Sequence, residues 1–293
     1  MKSNSVVSIS NANLLRWATY ASVSTAGILI GLKLYAWINT DSVAILASLV
    51  DSIMDILASG MSLIAIAQAL KPADDEHRFG HGKVEALAGL GQSLFIAGSG
   101  VFLIYQSLER FSNPQPIHHI SAGSVVMIIS IILTALLLAF QYYVIRKTGS
   151  TAVKADALHY RADLITNVAI LLALALASIG IERIDPFFAF IIAFYVLYSA
   201  AQIALEAIQM LIDRELPEQT QQLIESIALK NSKVRGIHEL RTRQSGLVRF
   251  IQFHIDIDKN TSLEASHIIA DEVEIAIKQA IDNADVMIHQ DPV

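Results

Sequence analysis

Between residues 14 and 212 the chain carries six apolar stretches: 14–38, 42–70, 84–111, 122–145, 151–179 and 185–212. A helix of about 20 mostly apolar residues crosses a hydrocarbon layer, and each stretch reaches that length. In lipid no water satisfies backbone N–H and C=O groups, so such a run closes its hydrogen bonds internally, as an α-helix. Six crossings leave both termini on one side. Breakers separate the stretches at Asn39-Thr40-Asp41, Asn113-Pro114-Gln115-Pro116 and Gly180 to Pro186. The loops 71–83 and 146–154 hold Lys71, Arg78, Lys83, Arg146, Lys147 and Lys154, whereas the alternate loops hold little beyond Arg110 and Arg183. This bias places the two basic loops, and with them both termini, in the cytoplasm. Residues 1–13 lack the apolar core and cleavage site of a signal peptide, so the first stretch is expected to remain as a span. The third stretch is rich in small residues (Ala86, Ala88, Gly89, Gly91, Ala97, Gly98, Gly100), which in lipid let helix backbones approach closely. Gly89-Leu90-Gly91 is no nucleotide loop, since no third glycine follows at the required offset and no strand precedes it.

Charge is scarce, at 16% of residues against about 25% in soluble domains. Mean hydropathy is +0.50. The charge that exists gathers after Asp213, which divides the chain into a membrane domain, 1–213, and a soluble domain, 214–293. The net charge of -6 offers no basic footprint for nucleic acid. With no cysteine, disulfides and thiolate metal ligands are excluded. In the soluble domain Pro217 suits the first turn of a helix running to about Lys230. Residues 234–243 and 247–258 read as strands around a Gln244-Ser245-Gly246 turn. Leu247, Ile251, Phe253, Ile255 and Ile257 share one face of the second strand, and Gln252, His254 and Asp256 the other. Thr261 and Glu264 form a capping box before a helix to about Asp282, and residues 285–289 make a last strand. The order αββαβ predicts a two-layer α+β domain.

Ionisable residues interrupt two of the apolar stretches. Asp51 and Asp55 lie in the second, His159 and Asp163 in the fifth. The i, i+4 spacing sets each pair on one helix face. A carboxylate in hydrocarbon is costly and is retained for function. Three carboxylates and one neutral imidazole supply four ligands, the number Zn2+ prefers. Lacking thiolate, the set releases its ion more readily. Ligands bind metal only when deprotonated, so metal and protons compete for the same atoms, and His159 is the natural exchanger near neutral pH. The competing reading is ion pairing with Lys33 or Arg161.

Two further groups have chelating potential. Asp74, His77 and His81 lie in a polar cytoplasmic loop, where a metal site and plain solvation account for them equally. His238, His254, His267, His289 and Asp291 populate the soluble domain, with His289 and Asp291 on one strand face. His118 and His119, beside Pro116, read as solvated.

The chain resembles the cation diffusion facilitator family, in particular its bacterial zinc and ferrous-iron efflux pumps. The likeness rests on Ala47-Ser48-Leu49-Val50-Asp51-Ser52-Ile53-Met54-Asp55, His77-Arg78-Phe79-Gly80-His81-Gly82-Lys83-Val84-Glu85, Asp156-Ala157-Leu158-His159-Tyr160-Arg161-Ala162-Asp163 and His289-Gln290-Asp291-Pro292, and it covers essentially the whole chain. It implies a homodimer in the inner membrane with six transmembrane helices and a ferredoxin-like cytoplasmic domain, exchanging cytoplasmic divalent metal for external protons by alternating access. Zn2+, Cd2+ and Fe2+ are the ions it implies. Asp51, Asp55, His159 and Asp163 match the transport site, Asp74, His77 and His81 a loop site, and His238, His254, His267, His289 and Asp291 a cytoplasmic binuclear site. Lys83 and Asp213 match a charge pair near the dimer contact, and Leu158 a hydrophobic gate.

Two other functions compete. An intramembrane metalloenzyme needs an open metal position and a general base, often on a His-Glu-x-x-His helix, and the chain has no such motif. A membrane-anchored metal sensor would use the cytoplasmic histidines, but it leaves Asp51 and Asp163 in hydrocarbon without a reason.

Overall fold

The structure, a computed structural model, describes residues 9–40, 43–112, 121–177 and 185–293. His118 and His119 lie outside them, as does the side chain of Asp51. Six long helices come first: α1 (Ile9–Thr40), α2 (Val43–Ala69), α3 (Lys83–Ser112), α4 (Ser121–Thr148), α5 (Thr151–Ala177) and α6 (Asp185–Leu211). Then follow α7 (Glu218–Ala228), β1 (Gly236–Ser245), β2 (Val248–Ile257), α8 (Leu263–Ala280) and β3 (Ala284–Pro292). The chain divides into two compact units. One comprises residues 13–69 and 84–207, and the other contains residues 70–83 and 208–293.

The helical unit is built for an apolar solvent. Trp17, Leu94 and Leu136 are about two-thirds exposed, at 65%, 66% and 64%, while Ser22, Ser52, Ser59, Ser62, Gln92 and Gln141 are buried. A water-soluble bundle distributes these residues the other way round. In lipid, association is driven by close packing and interhelical hydrogen bonds, which small polar residues supply. Among the described residues four segments are long and apolar enough to cross a membrane: Ser10–Asn39, Lys83–Glu109, Met127–Thr148 and Phe190–Leu211. Helix α5 carries Lys154, Asp156, Arg161 and Asp163, which lower its hydropathy.

Helix α5 is gripped on two sides. Ala155, Leu158 and Ala162 pack with Ile96 of α3 and with Ile192, Val196, Ala200 and Ile203 of α6. Ala157 and Tyr160 pack with Leu137 and Leu138 of α4. The small residues of α3 serve unequally. A side chain at Gly89 would meet Thr151 Cγ2 at 2.9 Å and one at Gly100 would meet Leu197 Cγ at 2.9 Å, whereas Gly91 and Gly98 face open space. Close approach thus explains two of the four glycines named there. The Glu85 carboxylate, buried on α3, accepts a 2.7 Å hydrogen bond from the Thr151 amide. It satisfies one of the amides that the first turn of α5 cannot pair internally.

In the other unit the sheet runs β1-β2-β3, with β2 antiparallel to β1 and parallel to β3. The β2 alternation is realised: Ile251, Phe253, Ile255 and Ile257 are buried in one core with Ile224 and Ile227 of α7 and Ile269, Val273 and Ile277 of α8. Three local expectations shift. Ser262, not Thr261, caps α8, its Oγ accepting from the Ala265 amide. Pro217 is the N-cap residue of α7 rather than part of its first turn. Strand β3 runs to Pro292 because pairing with β2 continues through Asp256↔Asp291 and Ile257↔Pro292.

Candidate metal-binding centres

Within the helical unit, α2 and α5 bring Asp55, His159 and Asp163 together. Asp55 Oδ1 lies 2.7 Å from His159 Nε2, and Asp163 Oδ2 lies 3.8 Å from the same nitrogen. One donor atom from each residue falls within 4.8 Å of the others. Asp55 and His159 are 4% and 7% exposed, so an ion there would be held almost free of bulk water. Asp51 stands one helical turn before Asp55. Of the two basic neighbours, Lys33 Nζ donates to Ser52 Oγ at 2.6 Å, and the Arg161 guanidinium lies over the Tyr195 ring at 5.0 Å. Leu158 is buried beside this group, against α3 and α6.

In the loop before α3, an Asx turn builds the second group. Asp74 Oδ1 accepts from the His77 amide at 2.6 Å and the Glu76 amide at 3.1 Å. These backbone bonds hold the Asp74 carboxyl below the usual carboxylate range. His77 Nδ1 approaches Asp74 at 3.3 Å and His81 Nε2 at 3.4 Å. Gly80, at φ 80, adopts the left-handed turn that lets the chain fold back between the two histidines. In the same unit Lys83 Nζ pairs with Asp213 at 3.0 Å and also donates to the Leu211 carbonyl.

The third group is written by sheet register. His238 lies opposite His254, and His254 opposite His289, so three histidines form one row across three strands. In the adjacent row lie Gly236, Asp256 and Asp291. Alternation alone would set His238 and Arg241 on opposite faces, since they are three residues apart. Both nevertheless face outward-pointing residues of β2, His254 and Gln252. A bulge between them, with Glu239 at φ 49, absorbs the extra residue. Asp291 is the hub, with Oδ2 at 2.8 Å from His254 Nδ1 and 3.2 Å from His238 Nε2, and Oδ1 at 3.2 Å from His289 Nε2. The hydrogen bond from His254 leads the interactions that hold the Asp291 carboxyl below its usual range. Asp256 joins at 3.3 Å from His238, and a Cβ at Gly236 would meet Asp256 Oδ2 at 2.3 Å, so a side chain there would displace that carboxylate. His267 stands apart on α8 and pairs with Asp271 at 3.8 Å. Nitrogen and carboxylate oxygen are a donor set suited to Zn2+.

Two carboxylates to which the sequence pattern gives no role lie beside these centres. Asp256 was legible as an outward residue of β2, but its partner on β1 required the bulge. Asp156, one turn before His159, is 1% exposed and accepts hydrogen bonds from Ser22, Ser59 and Gln141. Its signal was a charge in an apolar stretch, the same signal that singled out Asp55.

A helical unit with buried carboxylates and imidazole, joined in sequence to a histidine-lined α+β unit, defines a membrane protein that handles cations. The Cation efflux transmembrane domain matches residues 19–212, and the Cation efflux protein cytoplasmic domain matches residues 216–293. The chain belongs to the cation efflux family, the cation diffusion facilitators, and is a cation efflux transporter and an integral membrane protein. The cation-efflux pump FieF of Klebsiella pneumoniae subsp. pneumoniae is 46% identical over 283 residues, 97% of this chain and 94% of that protein. FieF of Citrobacter koseri is 47% identical over 279 residues, 95% and 93% of the two chains. Among solved structures, CzrB in its Zn form is 29% identical and covers 27% of this chain and 92% of that one, with a TM-score of 0.26.

Proposed function

We propose that this transporter expels divalent metal ions from the cytoplasm in exchange for protons, with Zn2+ as the principal cargo and Cd2+ and Fe2+ as further ions its ligands accept. The observation that carries the reading is the convergence of Asp55, His159 and Asp163 in the interior of the helical unit. Asp51 completes a set of four. Protons replace the ion on its release, because these atoms bind metal only when deprotonated and an empty cluster of carboxylates is unfavourable in a low-dielectric interior. Alternating access follows from rocking helix groups about the buried site, with Leu158 as the apolar gate beside it.

The working unit is a homodimer in the inner membrane, with six spans per protomer, both termini cytoplasmic and a ferredoxin-like soluble domain. Residues 1–213 form the transport domain and 214–293 the cytoplasmic domain. Asp74, His77 and His81 gather ions at the cytoplasmic mouth. His238, His254, His267, His289 and Asp291 hold ions that stabilise the dimer, and the Lys83–Asp213 pair braces the structure near its contact. A membrane-anchored sensor would need only the cytoplasmic histidines and leaves the Asp55–His159 contact without a purpose. The test is zinc flux into vesicles containing the purified protein. His159→Ala is expected to reduce flux at least tenfold with the protein folded, and collapsing the proton gradient to abolish concentrative uptake. Undiminished flux in the variant overturns the site, and undiminished uptake without a gradient overturns the exchange.

A further inference from the structure

We propose that Asp156 is a positioning residue for the cation site: the buried node it anchors sets the register in which α2 presents Asp55 to His159. The inference rests on the transport-site reading above. Asp156 Oδ2 accepts from Ser22 Oγ of α1 at 2.6 Å and from Gln141 Nε2 of α4 at 2.7 Å. Its Oδ1 accepts from Ser59 Oγ of α2 at 3.1 Å. The Tyr160 hydroxyl closes the node, 2.9 Å from Ser59 Oγ and 3.2 Å from the Ser22 carbonyl oxygen. Every member is essentially inaccessible, with Ser22, Ser59 and Gln141 at 0% and Asp156 and Tyr160 at 1% exposure.

The placement links this node to the ion ligands. Ser59 follows Asp55 by one turn of α2, and Asp156 precedes His159 by one turn of α5. Helices α2 and α5 are therefore joined by two consecutive antiparallel rungs, Asp55–His159 and Ser59–Asp156. A one-turn slide of about 5.4 Å, or a rotation that parts Asp55 from His159, also pulls Ser59 from Asp156. A carboxyl group suits the node because its two oxygens accept from several donors at once. Asparagine is a near-isostere that offers one acceptor oxygen and presents an NH2 to donors. Asp156 itself has no place in the three-residue group that can hold the ion.

The experiment is zinc uptake into vesicles by the full-length protein, separating KM from maximal rate, with thermal unfolding measured alongside. Asp156→Asn is expected to raise KM about tenfold, the loss usual when a group supporting metal ligands is removed. Ser59→Ala, which deletes one rung and almost no volume, is expected to raise KM about threefold, as for one hydrogen bond. A purely structural role lowers the melting temperature and the maximal rate with KM unchanged, and that outcome overturns the proposal. If Asp156→Asn yields no folded protein, Ser59→Ala decides on the same criterion. His159→Ala runs beside them: wild-type kinetics there defeat the transport-site reading itself, whereas a dead His159→Ala beside an unchanged KM in folded Asp156→Asn defeats this inference alone.

Discussion

Replacing Arg243 with alanine should release the loop that carries Asp74, His77 and His81. The guanidinium carbon lies 4.8 Å from the Phe79 ring centre and 4.6 Å from that of Phe250, while the two rings meet edge to face at 5.6 Å. Phe79 belongs to the loop and Phe250 to β2, so Arg243 holds one to the other. Each cation–π contact at a partly exposed position contributes about 0.5–1 kcal/mol. The 3.4 Å contact from Arg243 to Asp213 adds little, since the Asp213 side chain is 42% exposed and keeps Lys83 at 3.0 Å. The sum is about 1–2 kcal/mol, roughly a five- to thirtyfold rise in the opening equilibrium. Hydrogen exchange of peptides spanning residues 70–83 in the full-length protein reads that ratio directly. Arg243→Lys keeps the charge but loses the planar stack, so it should fall between wild type and alanine. Exchange within twofold of wild type in Arg243→Ala would refute the latch. So would strict additivity of Arg243→Ala with Phe79→Ala, because contacting residues should couple.

Three further outcomes follow from the geometry. Ile251→Ala, at a position with 0% exposure in the cytoplasmic core, should destabilise that unit by about 2–5 kcal/mol, measured by chemical unfolding; a loss below about 1 kcal/mol would contradict the packing. Burial acts to raise the Asp213 pKa, but Lys83 and Arg243 together hold it below the ordinary carboxylate value. Its contribution to stability is therefore present above the unfolded pKa, about 3.9, and is lost as pH falls through the lower folded value. Asp213→Asn should flatten the acid limb of a stability–pH curve below about pH 4, and an unchanged limb counts against the pair. His254→Ala removes the centre of the histidine row and should weaken zinc binding to the soluble unit at least tenfold by calorimetry, with equal affinity in the variant as the contrary result.

Much of this architecture was written in local pattern. Lengths of apolar sequence announced the long helices, because lipid leaves the backbone no other way to satisfy itself. The period-two alternation of β2 identified its buried face, since burial on one side of a sheet imposes that period. The i, i+4 spacings of Asp51 with Asp55 and of His159 with Asp163 identified helix faces, because 3.6 residues make a turn. Finer placements were less legible. Thr261 and Ser262 are neighbouring hydroxyls with similar capping ability, and only the path of the chain into α8 chose Ser262. Gly91 and Gly98 looked equivalent to Gly89 and Gly100 until the neighbouring helices were in place.

The amino-acid order by itself determined which segments are helical, which faces carry charge and which residue types can hold a divalent ion, for these depend on spacing along one element. The tertiary structure alone decided which faces meet. It brought Asp55 against His159 across a sequence separation of 104, recruited Asp156 into a node with α1, α2 and α4, and turned His238 into the row of His254 and His289 through a bulge. Those partnerships join residues remote in sequence. They are set by helix packing and sheet register, which arise from the summed contacts of whole elements and leave no mark in the spacing of any one of them.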